Sequence, residues 1–530
     1  MEKSQTNRQT KAVVSVIIIL LIGKMAGLFR EIMFGFRYGT GTVYAEAFGY
    51  AAQFPSVLLD TLVTASLTAA FIPVFSSVYT QKGKDTAFRL ARSFTTIVLF
   101  VTCILTIALT FAAPVIIRIF ASFQPVGYFA DEVTALATPL LRIMMPTVVL
   151  TGLAFVVTGI LQALEEFNAP AAMSLVSNLL IIVYLAFFVP IFGVVGLAVA
   201  YVLGWGTQVL VQLPALRKKG FRYRPVLFWR DADVRQGLRD IWKLMIPIMI
   251  GAWIFPINTL INTAVAGSVT GVAAFRYSYT IFIVLTGIFV LAITNVMFTK
   301  FSKLAADNKD DELSASVTAT TRLIIFFTFP LAALIFVFAP DIIRIVYERG
   351  EFTEASTYIT GGALRYFALG MPAFGIFQIL SRACYTKRDG RTPLVAGLIA
   401  VCINVGLSIM LVMYMGVSGT ALSFSVSLTL AALVLLASLI RKRIFKAGKA
   451  FYINTAKIVV LTVFMGFAVF YINQLIVVSF AMEEQTRAGL GIVVLGAAVS
   501  GVAGLVVYLA GSVLLTIEEA RYVSWKKKKS

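Results

Sequence analysis

The sequence predicts an all-α polytopic membrane protein of about fourteen transmembrane helices. They are arranged as two parallel six-helix repeats followed by two extra C-terminal helices. Three observations carry this expectation. Apolar runs recur from residue 13 to residue 515, basic segments fall in alternate connections, and the chain repeats itself at an offset near 226.

The apolar runs come first. Of 530 residues, 59% are hydrophobic and 13% charged, with a mean hydropathy of +0.91. No water-soluble surface can be made from that composition. A bilayer core about 30 Å thick takes about 20 apolar residues per helix. Such runs lie near 12–37, 44–76, 91–113, 134–163, 169–190, 194–215 and 241–265. The others lie near 272–298, 318–339, 357–385, 392–413, 417–440, 453–478 and 487–515. The first is too long and too charged for a cleaved signal, and no small-residue cleavage site follows it.

Charge orients these spans. Lys3, Arg8 and Lys11 precede the first. "QKGKDTAFRLAR", "RKKGFRYRPVLFWRDADVRQGLRDIWK", "KFSKLAADNK", "TKRDGR", "RKRIFKAGK" and "WKKKK" then occupy every second connection. The exception, "DIIRIVYERGEFTE", has more acids than arginines. The positive-inside rule therefore places both termini in the cytoplasm. The net charge of +20 is topology signal facing anionic headgroups, not a nucleic-acid interface.

The repeat is carried by residues that chance apolar similarity would not reproduce. "APVIIRIF" at Ala113 recurs as "APDIIRIV" at Ala339, and "AFGY" at Ala47 as "AFRY" at Ala274. Pro146 maps onto Pro372, Asn178 onto Asn404, and "GVVG" at Gly193 onto "GVSG" at Gly416. Six spans per half make the repeat parallel. The expected division is a first lobe over 1–216, a basic cytoplasmic loop over 217–240, and a second lobe over 241–441. Residues 442–530 hold spans 13 and 14 and a basic tail. Glycines at 489, 491, 496, 501, 504 and 511 suit the last span to close helix packing.

Enzymatic chemistry finds no support. There is no histidine, no G-x-x-x-x-G-K-[ST] phosphate loop and no His–Glu zinc motif. Cys103, Cys384 and Cys402 lie in apolar segments and read as small core residues. "DAD" at Asp231–Asp233 sits in a loop too short for a nucleotide-binding domain. No cofactor and no metal is expected.

Charges inside the spans are the candidate site, because each costs about 2.5–3.5 kcal/mol at a helix centre. Lys24 and Glu31 are seven residues apart, on nearly one face of span 1. Lys24 either lines a polar cavity or pairs with a carboxylate, with Asp60 of span 2 as the candidate. Arg30 either faces the same cavity or snorkels to the headgroups. Glu46 and Arg276 are likewise cavity or interface residues, and Arg142 and Arg365 complete the set. Cations outnumber acids, which favours an anionic substrate held by guanidinium groups. Pro55, Pro146, Pro247, Pro256 and Pro372 kink or break their spans.

"KMAGLFREIMFGFRYGTGTVYAEAFGYAAQFPSVLLDTLVTASLTAAFIPVFSSVY", "FNAPAAMSLVSN", "YERGEFT" and "YTKRDGRTPLVAGLIAVCIN" together resemble the MurJ/MviN family. Its members are lipid II flippases of the MOP exporter superfamily. The resemblance implies a V-shaped pair of lobes around a cationic cavity, with a hydrophobic groove at spans 13 and 14 for a lipid tail. It also implies transport of undecaprenyl-pyrophosphate-linked disaccharide pentapeptide to the outer leaflet of the bacterial plasma membrane, by alternating access. Lys24 stands where the family usually has an arginine; Arg30 and Glu31 match its "R-[DE]", and Glu46 its acid before "A-F". The family's basic residue early in span 2 aligns with Leu59, and its span 8 arginine matches Arg276 only with a shift of register. Some members use a span 7 carboxylate for sodium; "LMIPIMIGAWIFPINTLINTAVAG" has none. Expected partners are the prenyl-linked glycan, membrane lipids and cell-wall synthesis proteins. Rival expectations are a flippase for another prenyl-linked polysaccharide, a multidrug or cation exporter, and a membrane scaffold with a vestigial transporter fold.

Overall fold

The computed structural model describes residues 2–55, 70–123, 128–252, 254–387, 389–484 and 489–522. Its described residues are helical, with short connections, and divide into two compact units, Met1–Ala273 and Ala274–Ser530. Asp60 lies outside the described residues.

The first unit holds α1 (Glu2–Tyr38), α2 (Val43–Pro55), α3 (Ile72–Lys82), α4 (Lys84–Ala121) and α5 (Tyr128–Met144). It continues with α6 (Thr147–Ala163), α7 (Asn168–Val183), α8 (Val189–Lys218), α9 (Ala232–Ala252) and α10 (Ile254–Ala266). α1 packs on α7, and α2 on α5. Phe71, just before α3, Phe75 of α3 and Phe94 of α4 form a fully buried aromatic stack, with ring centroids 5.5 and 5.0 Å apart. Val234, Leu238 and Ile241 of α9 close the same core. Span 7 of the sequence thus falls in the first unit, where α10 packs on α2 and α4.

The second unit takes all but the first two residues of α11 (Val272–Ala306). It then holds α12 (Asp310–Tyr347), α13 (Glu354–Leu369), α14 (Met371–Thr386), α15 (Arg391–Met415), α16 (Val417–Arg441), α17 (Lys449–Glu484) and α18 (Leu490–Leu514). Phe275, Phe282, Phe367 and Phe424 cluster where α11, α13 and α16 meet. Gly504 and Gly511 bring α18 against Val469 and Leu461 of α17, the close packing expected of the last span; Gly489 and Gly491 meet nothing. At the α14–α15 turn, Asp389 receives Lys442 and Thr392. Burial pushes its carboxyl up, but those hydrogen bonds outweigh it and hold the group below the usual carboxylate range.

Among the described residues, eight helices are long and apolar enough to cross a membrane, nine if α13 and α14, bent by 44°, count as one. The architecture is therefore a multi-pass, all-α membrane fold; the expected count of fourteen is not reached within what is described.

The duplication is visible in the packing. α4 and α12 both have 38 residues, with Pro114 and Pro340 at matching positions. A break at Pro146 separates α5 from α6, and one at Gly370, two residues before Pro372, separates α13 from α14. Five packed pairs recur: α4–α5, α4–α6, α6–α8, α5–α8 and α7–α8 match α12–α13, α12–α14, α14–α16, α13–α16 and α15–α16. The backbone repeats too. Gly193 has φ 57°, ψ −152°, and Gly416 has φ 58°, ψ −141°. That region belongs essentially to glycine, and a side chain there costs about 1–3 kcal/mol. Gly416→Ala and Gly193→Ala should each lower the melting temperature of the detergent-solubilised protein. Gly406→Ala, mid-helix with open space around it, should leave it unchanged or raise it.

Candidate functional site

The site begins on one face of α1. Gly23, Gly27, Arg30, Glu31 and Phe34 recur at helical spacing, so they point the same way. The two glycines let α1 approach α7: a Cβ on Gly27 would lie 3.3 Å from Asn178 Nδ2, and one on Gly23 3.5 Å from the Leu175 nitrogen. Asn178, 5% exposed, uses that proximity. Its Nδ2 donates to the Gly23 carbonyl and to Ser174 Oγ, both at 3.3 Å. Its Oδ1 accepts from Arg30 Nη1 at 3.0 Å.

Arg30 is held on three sides. Its Nη2 lies 2.7 Å from Glu31 Oε1, and its guanidinium carbon lies 5.4 Å from the Tyr201 ring of α8. Glu31 is buried, whereas the Arg30 side chain is 25% exposed. Asn178, Glu31 and Tyr201 all engage the Arg30 side chain. The guanidinium is clamped into the α1–α7–α8 junction.

Lys24 is different. It is exposed, and among the described residues it has no hydrogen bond or ion pair. Lys24 and Glu31 share the expected helix face, but Glu31 meets the junction while Lys24, two turns earlier, stays open. Arg142, near the end of α5, is likewise exposed with no side-chain partner among the described residues.

Glu46 is fully buried in α2. Its two oxygens accept from the backbone N–H groups of Val272 and Ala273, at 2.9 and 3.2 Å, within the same unit. A carboxylate at such a helix start satisfies otherwise orphaned donors. These contacts fasten α2 to the Val272–Ala273 backbone.

In the second unit Arg276 is half-buried, its guanidinium carbon 5.3 Å from the Tyr277 ring. Arg365 is also half-buried. Its Nε donates to the Phe336 carbonyl at 3.1 Å, and its guanidinium carbon lies 5.5 Å from the Phe336 ring. Phe336 faces a second feature, a groove of about 490 Å³ between α12, α14 and α17. Phe329, Ala333, Phe336, Pro372, Val463 and Phe467 line it, with Thr462 contributing the hydroxyl. An acyl or prenyl chain suits such a lining. The described residues contain no group of three or more His, Cys, Asp or Glu able to hold a metal ion.

Two residues were missed by sequence reasoning. Tyr201 supplies the aromatic face under Arg30. Arg37 donates to the Leu185 and Ala186 carbonyls at 3.0 and 2.8 Å, in a π-helical turn, Tyr184–Phe188, that interrupts the α-helical hydrogen bonding. Its spacing of seven from Arg30 was the available signal. Asn178 was read only as a marker of the repeat.

A family model and curated relatives point to one family. A family model described as lipid II flippase MurJ matches residues 38–487. A relative from Rhizobium meliloti (strain 1021), named a probable lipid II flippase MurJ, is 28% identical over 79% of this chain and 78% of its own length. Among solved structures, lipid II flippase MurJ in an inward closed conformation superposes with a TM-score of 0.77 at 22% identity, covering 95% of this chain and 99% of that one. An inward-facing multidrug resistance MATE family transporter of the MOP superfamily gives 0.64 at 19% identity, covering 79% and 98%. These structural likenesses establish the fold.

Proposed function

From the premise that this chain belongs to the MurJ family of lipid II flippases, we propose that it carries lipid II from the cytoplasmic to the outer leaflet by alternating access. It acts as a transporter, not a catalyst, in the bacterial plasma membrane with both termini cytoplasmic. The observation that carries the reading is a separation of chemistry. Lys24 offers an open cation on a membrane helix, and the α12–α14–α17 groove offers an apolar surface for a long chain.

A prenyl pyrophosphate needs both. The candidate phosphate-binding groups are Lys24 and Arg30 in the first unit and, separately, Arg276 and Arg365 in the second. Glu31 and Glu46 position these groups and backbone, and Arg142 and Asp60 belong to the same polar set. The lobes are taken as 1–216 and 241–441, joined by the basic loop 217–240 and followed by 442–530. Phe336 supports the pairing of headgroup and tail sites, since its carbonyl accepts from Arg365 and the same residue lines the groove. Substrate drives the switch only through different affinity for the two states. Membrane potential biases it by about 2.3 kcal/mol per charge moved across 100 mV. Peptidoglycan precursor supply, with cell-wall synthesis proteins as partners, is the physiological setting.

The test is lipid II exposure at the outer face of cells depleted of their own flippase and expressing this chain. Restored exposure is expected. No restoration, with the protein present in the membrane, would move the substrate to another prenyl-linked glycan. The groove has its own test. A Cβ on Gly466 points toward Ala333 across it, so Gly466→Leu fills the space. Displacing about two methylenes from that surface should weaken binding of the full-length prenyl substrate about tenfold. Binding of a short-chain analogue should be unchanged.

A further inference from the structure

The connection between α8 and α9 is built as a membrane-surface anchor, and nothing in the transport reading uses it. Residues 219–231 run back along the N-terminal part of α4 and are fastened to it at successive turns. Phe221 packs edge-on against Phe88 at 5.3 Å, and Arg92 Nε donates to the Arg222 carbonyl at 2.9 Å. The Phe228 N–H donates to Ser93 Oγ at 3.1 Å, and Arg89 Nε pairs with Asp231 at 3.1 Å. Tyr223 Oη lies 3.3 Å from Thr96 Oγ1.

Thr96 sets the depth. One turn further along the same face is Phe100, 67% exposed, followed by Ile104, Ile107 and Phe111 at 52%, 58% and 79%. That stripe is the outer, apolar face of a membrane-spanning helix. The loop therefore rests where α4 passes from basic to apolar. There it turns Val226, Leu227 and Trp229 outward, Trp229 at 55% exposure, beside the exposed Arg222, Arg224 and Arg230. Aromatic and aliphatic groups rimmed by arginines at that level match the headgroup–acyl boundary.

We propose that residues 222–230 bind anionic phospholipid. Trp229, Leu227 and Val226 enter the boundary layer, and the three arginines hold headgroup phosphates. Each basic residue near an anionic surface is worth about fivefold in affinity.

The full chain, in nanodiscs of phosphatidylcholine with or without phosphatidylglycerol, tests this. Trp229 emission, taken as the difference between wild type and Trp229→Phe, should be quenched by lipids brominated on their acyl chains. Retained phosphatidylglycerol, counted by native mass spectrometry, should fall about fivefold for each of Arg222→Gln, Arg224→Gln and Arg230→Gln. Melting temperatures should be unchanged, because all three side chains are exposed. Unquenched Trp229 would overturn the proposal, as would equal phosphatidylglycerol retention in the triple variant. Equal competition by soluble glycerol phosphate would also overturn it, by pointing to a free-anion site.

Discussion

Arg30→Ala is expected to lower the stability of the protein by about 3 kcal/mol and to abolish transport. Removing one member of a buried ion pair costs about 3–5 kcal/mol, because the remaining charge keeps its desolvation penalty. The lower end applies because Arg30 is a quarter exposed. The substitution takes away the guanidinium 2.7 Å from Glu31, the donor to Asn178 and the cation over Tyr201 together. Thermal unfolding in detergent measures the first effect and lipid II exposure in cells the second. The double variant Arg30→Met/Glu31→Gln separates them. It removes both charges at similar volume, so stability should return while transport stays lost. Recovery of transport in that double variant would make the pair structural only.

Lys24→Ala is the contrasting case. Lys24 is exposed and has no partner among the described residues, so its loss leaves no buried group stranded. Its melting temperature should stay within the usual range for a surface change, about 0.5 kcal/mol in stability. Transport should nonetheless be lost, because a charge-assisted contact to phosphate is removed. Lys24→Arg should retain activity, since the charge survives and the guanidinium adds a planar fork for phosphate oxygens. Full transport by Lys24→Ala would remove it from the site. A large drop in melting temperature would show that it pairs with a group such as Asp60.

Arg30 and Lys24 illustrate how far the sequence carries. Their rarity in apolar spans was enough to single them out. Their division of labour was not readable, because it depends on Asn178, 148 residues away, and on the ring of Tyr201. Glu46 is a similar case. Local pattern marks it as a buried acid, but its engagement with the Val272 and Ala273 N–H groups spans 226 and 227 residues.

What the sequence determined by itself is the membrane class, the alternation of charge and the duplication. These depend on composition and on spacing along the chain, which solvent and bilayer read locally. The glycine pair shows the strength of that reading: two sites found only by repeat offset share one backbone conformation unavailable to other residues. Tertiary structure decided which charge is clamped and which stays open, that span 7 packs with the first unit, and where the apolar groove lies. Burial of a given side chain is set by what packs across from it. On a helix apolar all round, periodicity does not say which face meets protein and which meets lipid.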